Sequence, residues 1–328
     1  MLDIGNHEKK FTIWVITLVM AYCFLSAATA SAATTRTFRG PTEAFEFMVN
    51  GLRKPDVRQE MREIFGEDTN EILGDIKSKK VNGGYEAFLD AYKSYHAVEV
   101  HDGAEAYLAV GRNLCVFPIP VVMRNGTWRF DMEKGMHELN ARRIGRNERF
   151  AIRASQAYVE AQRDYFSMNP MKVEGSEYAH RIASTPGKHD GLYWASENDE
   201  ENRSPLGEAF AMATVDNGEE RAMESRKSHG GYRYKILHMQ GPDAKGGARD
   251  YHEKDRMTGG FALLAYPSEY GKTGIMSFIV NQDGQVYEKD LGRETEREAL
   301  AIMAFNPDKT WQPVRNADMM PGEKAAKK

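Results

Sequence analysis

The stretch from Arg142 to Phe166, RRIGRNERFAIRASQAYVEAQRDYF, constrains the fold more than any other. Ala151, Ala154, Tyr158, Ala161 and Tyr165 recur at spacings of three and four residues. That period places them on one narrow stripe of a helix. The stripe is small and apolar, so a sheet can lie against it. Asn147 is positioned to cap the helix start, and Glu148 suits the positive end of the helix dipole. The basic, glycine-containing segment from Arg142 to Arg146 then reads as a junction. A domain precedes it, and the sheet that covers the stripe follows it.

The 328-residue chain is long enough for two domains. The first, residues 38–140, reads as α+β. Helical spacing joins Ala44, Phe45, Met48, Val49 and Leu52, then Met61, Ile64 and Phe65, then Tyr85, Phe88, Leu89 and Tyr92. Strands follow, with turn dipeptides at Asp102-Gly103 and Asn125-Gly126, where both residues accept positive φ. Helices followed by a curved antiparallel sheet resemble the nuclear-transport-factor-like cone. A pocket in such a cone would be lined here by Tyr85, Tyr92, Tyr107 and Trp128. The competing reading makes these aromatics plain core.

The second domain, residues 141–312, is predicted to be the long helix packed on an antiparallel sheet. Tyr232, Tyr234 and Ile236 alternate, residues 260–266 are almost wholly apolar, and a hairpin turns at Asp283-Gly284. Short helices are expected over 207–213 and 295–305, and residues 313–328 read as a disordered tail. Residues 241–247, Gly-Pro-Asp-Ala-Lys-Gly-Gly, read as a flexible loop of the kind that carries binding residues.

Residues 1–32 have the form of an export signal. Lys9 and Lys10 precede an apolar run from Phe11 to Leu25, and Ala30-Ser31-Ala32 offers small residues for cleavage after Ala32. The mature chain would begin at Ala33, in the periplasm. The alternative is an uncleaved anchor over residues 11–30, the chain's only contact with a membrane. With Cys23 in the leader, Cys115 is the single cysteine left, which excludes an intramolecular disulfide and a cysteine zinc site. Its neighbours Leu114, Val116 and Phe117 predict a buried thiol. A net charge of -4 and a pI of about 6.2 argue against nucleic acid as a partner.

Ser184-Thr185-Pro186-Gly187-Lys188 is the only stretch that looks like a nucleophile beside a lysine base. A hydrolase would need Lys188 desolvated, whereas Pro186-Gly187 predicts an exposed turn. Lys188, Asp190, Tyr193 and Trp194 form the candidate binding surface. The eight histidines after the leader show no spacing that marks a metal site. No catalytic, cofactor-binding or metal-ligating residue is assigned, and no cofactor is implied. The favoured function is non-catalytic binding in the cell envelope, with an envelope protein or a small ligand as partner. Sensing through the first domain's aromatics is the alternative.

Several spaced blocks carry a resemblance. They include Phe117-Pro118-Ile119-Pro120, Trp128-Arg129-Phe130-Asp131, Asp190-Gly191-Leu192-Tyr193-Trp194, Gln240-Gly241-Pro242 and Asn281-Gln282-Asp283-Gly284. In this order, over roughly residues 38–312, the chain resembles the exported bacterial family known as domain of unknown function 2950. That resemblance implies no activity. The arrangement over residues 146–292 is also weakly similar to the globular head of type IV pilins. It lacks the hydrophobic half-helix that builds a pilus filament.

Overall fold

The computed structural model describes residues 35–70, 72–73, 84–194, 203–207 and 230–315. The leader and the helix expected over 207–213 lie outside the described residues, Gly207 apart. The described chain is α+β and divides into two compact units, Met1–Glu138 and Leu139–Lys328.

In unit 1, helices Pro41–Leu52 (α1) and Val57–Phe65 (α2) bury Phe45, Met48, Leu52, Met61, Ile64 and Phe65. Pro41 suits the first helical turn, where a missing N–H is harmless. Asp56 caps α2 by accepting from the Gln59 N–H at 3.2 Å. A Cβ on Gly51 would stand 2.3 Å from the Met61 side chain, so glycine lets the two helices meet. Gly84–Ser94 (α3) follows.

The antiparallel strands are His96–His101 (β1), Glu105–Val110 (β2), Cys115–Val116 (β3), Val121–Arg124 (β4) and Thr127–Phe130 (β5). They run in the order β1-β2-β4-β5, with β3 on β2. Asn125 and Gly126, at φ 52° and 77°, form the expected tight turn between β4 and β5. Phe130 meets Phe38, Phe45 and Phe65 edge-on, at centroid distances of 6.4, 5.7 and 5.4 Å.

The long helix is Met132–Met168 (α4), so it starts fifteen positions before the expected cap at Asn147. Asp131 accepts from the Lys134 N–H at 3.1 Å and caps the true start. Gly135 and Gly145 do not break it, because a helical glycine costs only about 1 kcal/mol and packing outweighs that. Gly135 is required by Ile119, which a Cβ would approach to 2.7 Å. Asn147 lies inside the helix and donates to the Thr273 carbonyl. Glu148 accepts from the N–H groups of Ile275 and Met276.

In unit 2 the main sheet contains Tyr232–Leu237 (β8), Ala262–Pro267 (β13), Met276–Asn281 (β14), Tyr287–Asp290 (β15) and Gln312–Pro313 (β16), ordered β16-β15-β14-β13-β8. Every residue of β13 is buried. One face meets α4, where the Tyr158 and Phe261 rings lie 5.7 Å apart. The other meets Thr295–Ala301 (α5), where Arg233 pairs with Glu296 at 2.7 Å and the Lys235 ammonium donates to the carbonyls of Leu300 and Ile302. All five stripe residues of α4 are buried. The predicted tail begins too early: β16 pairs with β15 and Val314 is buried. Main-chain pairing holds this segment, and composition does not reveal it.

Shorter strands complete the unit: Arg181–Ala183 (β6), Gly191–Tyr193 (β7), Met239–Gln240 (β9), Arg249–Asp250 (β10), His252–Glu253 (β11) and Arg256–Met257 (β12). β6 and β7 pair in parallel across residues 184–190. Parallel neighbours normally need a connection of about a dozen residues or more. Here Gly191 allows the approach, since a Cβ would stand 2.6 Å from the Ala183 carbonyl carbon.

Candidate functional site

The loop from Ser184 to Trp194 is fully legible as structure. Lys188 N–H donates to the Thr185 carbonyl at 2.9 Å, and Gly187 has φ 77°, which makes Thr185–Lys188 a turn with proline and glycine in its two central places. The Ser184 hydroxyl donates to the Gly191 carbonyl and accepts the Gly191 N–H at 3.0 Å. Asp190 accepts from the Thr185 N–H and hydroxyl, both at 2.7 Å. Burial pushes the Asp190 carboxyl up, but those two bonds and Arg181 outweigh it and leave it below the usual carboxylate value. Lys188 is exposed. Tyr193 is half-buried and Trp194 is buried, with His189 stacked on Trp194 at 4.4 Å. The candidate surface of Lys188, Asp190, Tyr193 and Trp194 therefore offers one exposed side chain. The turn leaves Lys188 solvated, which removes the basis of the Ser184–Lys188 hydrolase reading.

The four aromatics of unit 1 do not converge. Side chains alternate across a strand, and the register Ala106↔Val121↔Phe130 puts Trp128 on the face of the phenylalanine cluster and Tyr107 on the opposite one. The Tyr107 hydroxyl donates to Glu105 at 2.7 Å, and that bond, with burial, pushes it up to about 12. Tyr92 stacks on His96 at 3.8 Å. Tyr85 sits half-buried in the first turn of α3. Cys115 is exposed, against the expectation of a core thiol. The glycine-rich loop 241–247 is pinned, since the buried Gln240 amide donates to the carbonyls of Lys245 and Gly247.

Three histidines far apart in sequence come together in unit 2. His252 Nε2 lies 3.3 Å from His180 Nδ1, with ring centroids 5.2 Å apart. The His238 ring stands 4.9 Å from that of His252. Each is placed by firm local structure. The Gln162 amide donates to the Ala179 carbonyl and accepts the Ala179 N–H, which ties the segment before His180 to α4. Tyr251 N–H donates to the His238 carbonyl. Asp250 accepts the His252 N–H at 2.8 Å.

Carboxylates flank the rings. Glu177 lies 3.9 Å from His180 Nε2, and Asp250 lies 3.7 Å from His252 Nδ1. Glu177 also pairs with Arg256 at 3.2 Å, and Arg256 donates to the carbonyls of Glu174 and Gly175. Burial first, then the neighbouring imidazoles, hold His180 and His238 below the ordinary histidine value. His238 Nδ1 is buried and has no hydrogen-bond partner among the described residues. Among those residues, no three His, Cys, Asp or Glu side chains are set as they stand to hold a metal ion. Spacing did not reveal the cluster. The available signal was a carboxylate just upstream of two of its histidines, in Glu177-x-x-His180 and Asp250-x-His252.

A family model described as Protein of unknown function (DUF2950) matches residues 35–314. No curated protein and no solved structure matches the chain. The likenesses to a nuclear-transport-factor cone and to a pilin head gain no support from these comparisons.

Proposed function

The chain belongs to this family of unknown function over nearly all its described length, and from that premise, which supplies no activity, we propose an exported, non-catalytic cell-envelope protein that binds a ligand through His180, His238 and His252. The observation that carries the reading is the buried, unpartnered Nδ1 of His238 beside two further imidazoles. A buried polar atom without a partner costs about 1–3 kcal/mol, and a ligand that engages it recovers that cost. The commitment of the Ser184 and Thr185 hydroxyls to neighbouring groups supports binding over hydrolysis. Export rests on the form of residues 1–32. No helix among the described residues is long and apolar enough to cross a membrane.

The test is expression with the native leader in a bacterial host, followed by fractionation and mass spectrometry. The expected product is periplasmic, begins at Ala33, and carries a non-covalent component in the native spectrum that His252→Ala lacks. A cytoplasmic product with its leader intact counts against export. Identical native spectra for wild type and variant count against the binding site.

A further inference from the structure

We propose that His180, His238 and His252 bind one divalent ion of the borderline transition-metal class, such as zinc, cobalt or nickel, with Glu177 and Asp250 behind the ligands. This deepens the binding role above and rests on that cluster being the site.

The first argument is distance. Zinc–imidazole bonds are about 2.0–2.1 Å long, and two of them at a tetrahedral angle separate their nitrogens by roughly 3.4 Å. His180 Nδ1 and His252 Nε2 stand 3.3 Å apart. Without an ion, one ring donates its proton to the other. With an ion, both lone pairs point at it.

The second argument is the outer partners. A ligating histidine usually donates its remote N–H to a carboxylate, a backbone carbonyl or a water, which fixes the ring and raises its basicity. Here the opposite nitrogens have carboxylates nearby, Glu177 at 3.9 Å from His180 Nε2 and Asp250 at 3.7 Å from His252 Nδ1, one small ring shift or one bridging water away from a hydrogen bond.

The third argument is His238. Its unpartnered Nδ1 makes it the member with most to gain from a ligand. Its ring must turn about its side-chain bonds to complete the set, since three nitrogens do not yet converge. The nearby cations are already engaged: the Lys235 ammonium by two carbonyls, Arg256 by Glu177, and Arg181 by Thr185 and Asp190. Imidazole ligands favour borderline transition metals over calcium or magnesium, which take oxygen. Three protein ligands leave a fourth position open to water or to a group from outside.

The test uses protein starting at Ala33, stripped with chelator and titrated with cobalt(II) and zinc(II) alone. The expected result is one ion per chain, with the visible absorption of four-coordinate cobalt. Binding should be lost in His180→Ala and His252→Ala and weakened at least tenfold in His238→Ala. Glu177→Gln should weaken it by roughly 10–100-fold. No stoichiometric binding, or binding that survives His180→Ala and His252→Ala, overturns the proposal. An unchanged His238→Ala overturns the three-histidine set. Should a variant fail to fold, X-ray absorption on wild-type protein decides, because fewer than three imidazoles around the ion rejects the site. Failure to bind metal, combined with a component lost from His252→Ala in native spectra, removes the metal and leaves the binding site standing. Failure of both removes both.

Discussion

Cys115 lies between Leu114 and Val116, and all three are exposed, the flanking pair at 53% and 41%. The cause is local. Leu114 has φ 50°, inside a turn, and β3 is a two-residue strand that pairs with the end of β2. A hydrophobic neighbourhood in sequence does not bury a side chain when the backbone there is turning. Protein beginning at Ala33 should therefore react through its one thiol as fast when native as when unfolded, read with a chromogenic thiol reagent. Strong native protection would refute the placement. Asp190 makes the opposite case, an exposed-looking residue with a structural task. Its folded-state value is depressed, so its stabilisation is complete above the ordinary carboxylate value near pH 3.9 and fades as pH falls below it. Asp190→Ala should cost about 1–3 kcal/mol at pH 7. That gap should shrink near pH 3 in denaturant melts. An equal gap at both pH values would show that the carboxylate's charge is not the cause.

Among the elements, α4 is the one whose sequence pattern and structure agree most closely along one face. Ala154 is 4% exposed within the cluster formed by α4 and the main sheet. Overpacking such a position costs about 1–3 kcal/mol. Ala154→Leu in protein beginning at Ala33 should lower the melting temperature clearly, while the exposed Glu160→Ala should stay within about 0.5 kcal/mol of wild type. Equal melts would mean that the stripe yields without strain. The start of α4 was not legible, because Arg142–Arg146 looks like a junction when only the apolar period is counted. Asp131 as cap and Ile119 against Gly135 extend the helix backward, and both are tertiary or flanking facts. The parallel β6–β7 pair was likewise invisible. Its short connection depends on the absent Cβ of Gly191.

At the scale of the molecule, the family match ends at Val314, one residue past β16, the last strand of the main sheet. β16 pairs with β15, and Val314 donates its N–H to the Val286 carbonyl at 2.9 Å. Burying a valine contributes roughly 1.5–3 kcal/mol. Protein running from Ala33 to Trp311 should thus unfold about 1–3 kcal/mol more easily than protein running from Ala33 to Arg315, by chemical denaturation. Equal midpoints would show that the last strand adds nothing.

The sequence by itself determined the α+β class, the stripe on α4, the buried strand β13, the turns at Asp102-Gly103 and Asn125-Gly126 and the family, because each is written in local periodicity, turn chemistry or ordered motifs. It also determined the turn at Thr185–Lys188, since proline and glycine fix backbone angles without help. The tertiary structure alone decided that Tyr107 and Trp128 face apart and that His180, His238 and His252 meet. Register and chain crossing set those outcomes. A histidine 72 positions from its neighbour leaves no period in the chain, because what joins the two is tertiary: Gln162 of α4 holds Ala179, and the Tyr178 N–H donates to the Met257 carbonyl.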